Sequence, residues 1–328
     1  MSDKLKVVVA DPMHEAGIDM LRREFDVEVF SPAQSEARAA AVEQADAVIV
    51  RTFEVRAELM DRAPRLAAIV KHGAGVDNID VAAATERGIV VANSGDANAP
   101  SVAEASVCLI LAALRHTTRM HRAVVEGRYD IRWGLLLEGI SGKTLGVVGF
   151  GNIGRRVAAM CRDGFGMKVL AYDPFLSAGQ VAEHGAAKAE RLEDLLREAD
   201  VVSLHASLSS QSHYLIGAPE IALMKRSAVL VNTARGGVVD EAALAAALSE
   251  GRLFAAGLDV YEHEPPGPDN PLFKLDNVVL SPHIGGATES ARQLMATRAA
   301  EAALRALHGD APEFWLNPQV VRRAFHGA

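Results

Sequence analysis

Three glycines, Gly149, Gly151 and Gly154, join an apolar run to a helical pattern, and no other segment limits the fold of this chain so strongly. In LGVVGFGNIGR they stand as G-x-G-x-x-G. The first permits a tight turn, the second lets backbone approach a phosphate, and the third lets the helix pack closely on its strand. The helix amino end, at Asn152 and Ile153, then offers free N–H donors and a favourable dipole to an anion. Upstream lies a continuous apolar strand; downstream, Ile153, Val157 and Met160 share a helical stripe, and a second strand, KVLAYD, ends at Asp173, nineteen residues past Gly154. A carboxylate there accepts hydrogen bonds from ribose hydroxyls and repels a 2′-phosphate, so the expected cofactor is NAD rather than NADP. The plainer reading of Asp173 is an Asx turn before Pro174.

Apolar strands alternate with helical patterns along the whole chain. KVVVA, FDVEVF, ADAVIV, LAAIV and GIVVAN form one series; a second runs from Thr144 through KVLAY, DVVSLH, AVLVNT, FAAGLDV and NVVLSPH. This rhythm predicts an α/β fold of two doubly wound parallel-sheet domains. An apolar helix starting at Pro100, with Asn98 as capping candidate, joins the two series, and a return helix from about Thr288 to His308 carries the chain back. The expected division is 1–98 and 288–328 for one domain and 99–287 for the other. With 328 residues, two cores are expected. No apolar run reaches membrane-spanning length, and MSDKLKVVVA shows no secretory pattern, so a cytoplasmic protein is expected. Cys108 and Cys161 sit in apolar helical patterns and read as small buried hydrophobes. A net charge of −8 argues against a nucleic-acid partner. No metal site is read.

Five ordered motifs carry a resemblance: GAGVDNID (Gly73 to Asp80), the glycine fingerprint, VNTARGGVVDE (Val231 to Glu241), GLDVYEHEPP (Gly257 to Pro266) and SPHIGGAT (Ser281 to Thr288). Over nearly its whole length the chain resembles the D-2-hydroxyacid dehydrogenases, among them phosphoglycerate dehydrogenases, hydroxypyruvate reductases and D-lactate dehydrogenases. The resemblance implies a Rossmann NAD-binding domain inserted into a flavodoxin-like substrate domain, a cleft between them, and a homodimer.

Reduction of a 2-keto acid needs hydride at the carbonyl carbon, a proton for the oxygen, and a cation that fixes the carboxylate. Arg235 follows strand AVLVNT at a carboxyl edge, where its planar fork suits a carboxylate and a carbonyl oxygen together. His283 follows NVVLS in a turn kept open by two glycines, and an ordinary imidazole pKa near ~6.5 suits proton delivery. Glu264, at the family's expected spacing, orients and stabilises that imidazole. His263, His205 and His213 are the rival histidines. Gly73, Ala74 and Gly75 expose successive amides, a nest for a carboxylate; by resemblance Ala74 and Gly75 meet the substrate. Asp259, Thr233 and Ala234 are likewise expected beside the nicotinamide, and Gly285 among the cofactor-binding residues. Arg51, with Lys71 and His72 nearby, suggests a polar or anionic group on carbon three, as in 3-phosphoglycerate, sulfolactate or hydroxypyruvate.

Two departures from the family pattern stand out: Ser207 replaces a common proline in LHASLS, and IRWGLLLEG is only loosely family-like, with Trp133 read as core or interface. The chain ends soon after the return helix, so feedback by serine is not expected. Two alternatives stay open: a glyoxylate or hydroxypyruvate reductase with no anionic-tail requirement, and an NADH-sensing, protein-binding module of corepressor type.

Overall fold

A parallel strand covered on both faces has no polar side, which is why these strands read as unbroken apolar runs rather than alternating ones. The computed structural model describes residues 4–320 and folds the runs into two all-parallel sheets. The chain divides into two compact units, Met1–Asn98 with Ala287–Ala328, and Ala99–Gly286.

The first unit holds β1 (Lys6–Val9), β2 (Asp26–Val29), β3 (Ala47–Val50), β4 (Ala68–Lys71) and β5 (Val90–Asn93), ordered β2-β1-β3-β4-β5, the flavodoxin-like winding. Alternate residues feed opposite faces. Val7 and Val9 pack with Ala299, Ala303 and Leu307, whereas Val8 packs with Val42, Leu59 and Ala84. Each fully buried valine or leucine contributes about 1.5–3 kcal/mol. The return helix spans Glu289–Leu307, capped by Thr288, whose hydroxyl accepts from the Ala291 amide. It packs closely on the helix Glu15–Arg22: a Cβ at Gly17 would lie 2.4 Å from the Ala296 carbonyl oxygen.

The second unit holds β6 (Thr144–Val148), β7 (Lys168–Tyr172), β8 (Ala187–Lys188), β9 (Val201–Leu204), β10 (Val229–Asn232), β11 (Ala255–Leu258) and β12 (Val278–Leu280), ordered β12-β11-β10-β9-β6-β7-β8. Counted from β6 this is 3-2-1-4-5-6-7, the dinucleotide-fold winding with one strand added. In such sheets ligands bind beyond the carboxyl ends of the strands where the order reverses, here between β6 and β9 and, in the first unit, between β1 and β3.

Several local expectations need correction. Cys161 is buried, but Cys108 is exposed: the helix Ala99–Leu114 is apolar nearly all round, so its sequence does not mark which side faces solvent. That helix begins one residue before Pro100. On the helix Asn152–Phe165 the buried stripe is Gly154, Val157, Ala158 and Cys161, with Ile153 and Met160 flanking it half-buried. Trp133 is 79% exposed, so it is not core; the Arg132 guanidinium lies 4.4 Å from its ring centroid. Two-residue β8 carries too little pattern to be read from sequence. No helix among the described residues is long and apolar enough to cross a membrane.

Candidate active site

At the carboxyl end of β6 the glycine turn takes the form its spacing demands. Gly149 has φ +86°, and a Cβ there would stand 2.7 Å from the Ala206 nitrogen and the His205 carbonyl carbon. A Cβ on Gly154 would stand 2.3 Å from the Gly149 carbonyl oxygen. At Gly151, by contrast, a Cβ would meet nothing within 4 Å. The open volume lies at the cap of the helix Asn152–Phe165, whose first amides, at Asn152, Ile153 and Gly154, have no helical carbonyl to bond. Room for an anion, N–H donors and a helix dipole coincide, which fits a dinucleotide diphosphate. Asp173 closes β7: one oxygen accepts from the Phe150 amide (2.9 Å) and the other from Phe175 (3.0 Å). The Asx turn is therefore real, and it fixes the carboxylate beside the glycine turn.

The second unit also brings Arg235, Glu264 and His283 together. His283 adopts a left-handed φ of 53°, costly for a residue with a Cβ, and Asp259 holds it there. Asp259, 3% exposed, accepts from the Ile284 amide at 3.0 Å and from Gly285 at 2.8 Å. The Gly285 amide is thereby committed to the turn, and its carbonyl accepts from the Ser101 hydroxyl at 2.7 Å. His283 Nδ1 lies 2.6 Å from Glu264 Oε2. Burial pushes the Glu264 carboxyl up, but the His283 hydrogen bond and charge, the Tyr261 amide and the Arg235 charge outweigh it and hold its pKa below the usual value. An ionised carboxylate only accepts, so Nδ1 carries the proton and Nε2 is left for chemistry. Arg235 is anchored by its neighbours: Nη1 donates to the Ala234 carbonyl (2.7 Å), and Asn232 Nδ2 donates to the Arg235 carbonyl (2.9 Å). Thr233 is buried, its hydroxyl 2.7 Å from that of Ser106, and the Ala234 amide donates to Asn232.

The rival histidines have other surroundings. Burial pushes His205 down to about 3, and its Nε2 faces the Ser203 hydroxyl at 2.9 Å. His213 stacks on Tyr214, 4.0 Å between centroids, and His263 is exposed. The loop after Ser207 closes on itself, with the Ser212 hydroxyl donating to the Ser207 carbonyl at 2.6 Å.

Gly236 locks this arrangement. A Cβ there would fall 1.8 Å from the Tyr261 carbonyl carbon, backbone that cannot swing aside. Gly236→Ala is expected to cost at least about 3 kcal/mol in denaturant unfolding, because it displaces the segment that carries Glu264; a wild-type midpoint would show that the segment yields.

In the first unit Arg51, Ala74 and Gly75 gather at the carboxyl ends of β3 and β4. Asp11, 4% exposed, organises the loop by accepting from the amides of Arg51, Thr52 and Phe53 at 2.7, 2.9 and 3.0 Å. Those bonds lower its pKa against the upward pull of burial. Lys71 Nζ donates to the Arg51 carbonyl (2.6 Å) and to Asn78, and Asn93 Nδ2 donates to the Ala74 carbonyl (2.7 Å). The amides of Ala74 and Gly75 donate to no group among the described residues. Asp11 was missed in the sequence; a lone acid before proline after a strand looks like an ordinary turn. Among the described residues no group of three His, Cys, Asp or Glu could hold a metal.

The family model for the D-isomer specific 2-hydroxyacid dehydrogenase NAD-binding domain matches residues 107–285. The D-3-phosphoglycerate dehydrogenase of Methanocaldococcus jannaschii is 40% identical over 314 residues, which cover 95% of this chain and 59% of that protein. The glyoxylate reductase of Korarchaeum cryptofilum is 38% identical over 326 residues, covering 97% of this chain and 98% of that one. The chain thus spans only 59% of the first relative but almost all of the second. Among solved structures, the NADPH-dependent glyoxylate/hydroxypyruvate reductase of Sinorhizobium meliloti, in complex with NADP and malonate, superposes with a TM-score of 0.85 at 26% identity, covering 98% of this chain and 99% of that one.

Proposed function

This chain belongs to the D-isomer specific 2-hydroxyacid dehydrogenase family, and on that premise we propose that it interconverts a small 2-keto acid and its D-2-hydroxy acid with NADH, preferring a polar or anionic group on carbon three. The observation that carries this reading is the 2.6 Å His283–Glu264 contact, held in a left-handed turn beside Arg235. Bound NADH supplies the hydride; this chain's residues do the rest. In the second unit Arg235 holds the substrate carboxylate and polarises the carbonyl, and His283 Nε2 delivers the proton to the carbonyl oxygen; in the first unit the Ala74 and Gly75 amides form a nest that suits a carboxylate. Glu264 accepts from Nδ1 and keeps the imidazole aimed. NADH absorbance followed against glyoxylate, pyruvate, hydroxypyruvate, phosphohydroxypyruvate and sulfopyruvate tests the reading, and silence across the panel with NADH bound would favour the sensor alternative.

The Asp173 carboxylate favours NADH over NADPH, although the Sinorhizobium relative is named for NADPH. Asp173→Ala is expected to reduce the NADH-over-NADPH ratio of kcat/KM at least about tenfold, the value of a charged hydrogen bond. An unchanged ratio would place cofactor choice elsewhere.

The proposal includes a homodimer working in the cytoplasm. Val125, Tyr129, Trp133 and Leu136 are 73, 64, 79 and 69% exposed within one short stretch, an apolar surface that a second copy would cover. Sedimentation should show a dimer, and Val125→Glu with Leu136→Glu should shift it towards monomer; a wild-type monomer would refute this part.

A further inference from the structure

Tyr261 reaches both segments that carry the Glu264–His283 pair. Its amide donates to Glu264 Oε1 at 3.1 Å, and its hydroxyl donates to the Ser281 carbonyl, two residues before His283, at 3.0 Å. Because Glu264 Oε2 meets His283 Nδ1, these contacts close a ring that runs through the chain from Ser281 to His283. The turn needs such closure. His283 stands in a left-handed conformation between exposed Pro282 and Ile284, and its own side chain is 47% exposed, so packing alone does not fix it. Asp259 holds the turn after His283, through the Ile284 and Gly285 amides. Before His283, Pro282 has no N–H, and the Ser281 amide is committed to the Leu258 carbonyl at 2.8 Å. The Tyr261 hydroxyl supplies the further hold on that side.

We propose that the Tyr261 hydroxyl is a positioning group for the reaction: by anchoring the Ser281 carbonyl to the segment that bears Glu264, it sets where His283 Nε2 stands. This rests on the dehydrogenase reading above. An anchor must itself be stiff. A Cβ on Gly236 would fall 1.8 Å from the Tyr261 carbonyl carbon, so backbone closes over Tyr261 on that side. The next residue, Glu262, is paired with Glu241: the Glu241 amide donates to Glu262 Oε1 at 2.8 Å, and the Glu262 amide donates to Glu241 Oε1. Asn270 Nδ2 holds the same Glu241 carboxylate at 2.9 Å. Tyr261 is 7% exposed, and burial, then the Asp259 charge, push its hydroxyl up to about 12, so it stays a donor throughout the neutral range. A phenylalanine would fill the same space without that bond.

Tyr261→Phe removes the hydroxyl and little else. It is expected to lower kcat for the best keto acid about fivefold, the worth of one neutral hydrogen bond, with NADH affinity and the keto-acid KM held, since Arg235 and the glycine turn are untouched. In a Glu264→Ala background, where the imidazole has lost its partner, the same change is expected to cost less than about twofold. Nitrogen NMR of protein carrying isotope-labelled histidine, with the His283 signals identified by their loss in His283→Asn, reads the placement without turnover. The wild type is expected to show the Nδ1–H tautomer alone, and Tyr261→Phe a mixture with the Nε2–H form. A lower melting temperature with kcat and the His283 signals unchanged would make the hydroxyl a stability bond and overturn the proposal, as would equal losses in both backgrounds. No turnover of any keto acid by the wild type would overturn the dehydrogenase reading instead, and the His283 signals would then decide the role of Tyr261.

Discussion

Replacing His283 by Asn is expected to lower turnover of every accepted 2-keto acid by about a thousandfold, with NADH still bound, because the proton for the carbonyl oxygen then has no donor. Asparagine fits the volume and tolerates the left-handed turn better than histidine does, so Asp259 still holds the loop and folding should survive. Glu264→Gln provides the matched control. Its amide oxygen still accepts from Nδ1, so the tautomer is kept, but the negative charge is lost. Glu264 is held ionised by the His283 hydrogen bond and charge, the Tyr261 amide and the Arg235 charge, so the variant removes a full negative charge beside Nδ1. Glu264→Gln is expected to lower kcat for reduction about tenfold or more, the worth of a charge-assisted hydrogen bond, with KM for NADH unchanged. An unchanged kcat would mean that Glu264 acts only as a support.

Arg235→Lys is expected to cost about a hundred- to thousandfold in kcat/KM despite retaining the charge. The guanidinium is tied to the Ala234 carbonyl through Nη1, and Asn232, which is 1% exposed, holds the Arg235 backbone carbonyl beneath it. An ammonium on a shorter, freer chain presents no fork and cannot hold a carboxylate and polarise a carbonyl at once. The loss should appear in both kcat and KM, because the same group binds the ground state and the developing oxyanion. A loss below tenfold would remove Arg235 from the reacting atoms and leave it as support for the Glu264 charge.

The strands were legible because burial on both faces removes polar residues from them, and the glycine turn because each glycine answers a separate steric demand at Gly149 or Gly154. Motif spacing likewise singled out Glu264 and His283, which the fold holds 2.6 Å apart. Features that depend on what lies opposite were not legible. The helix Ala99–Leu114 is apolar on all sides, so nothing in its pattern marked Cys108 as exposed. Trp133 reads like a core residue until its neighbours are known. Asp11 looks like a turn residue, and only the folded loop shows three amides converging on it.

The account turns on one reaction, so the most direct measurement is chiral analysis of the product formed as purified protein consumes NADH with its best 2-keto acid. One equivalent of the D-2-hydroxy acid per NADH consumed, with none formed by the His283→Asn variant, is the expected result. An L-configured product, or full activity in that variant, would contradict the assignment of Arg235 and His283 to the reacting carbonyl.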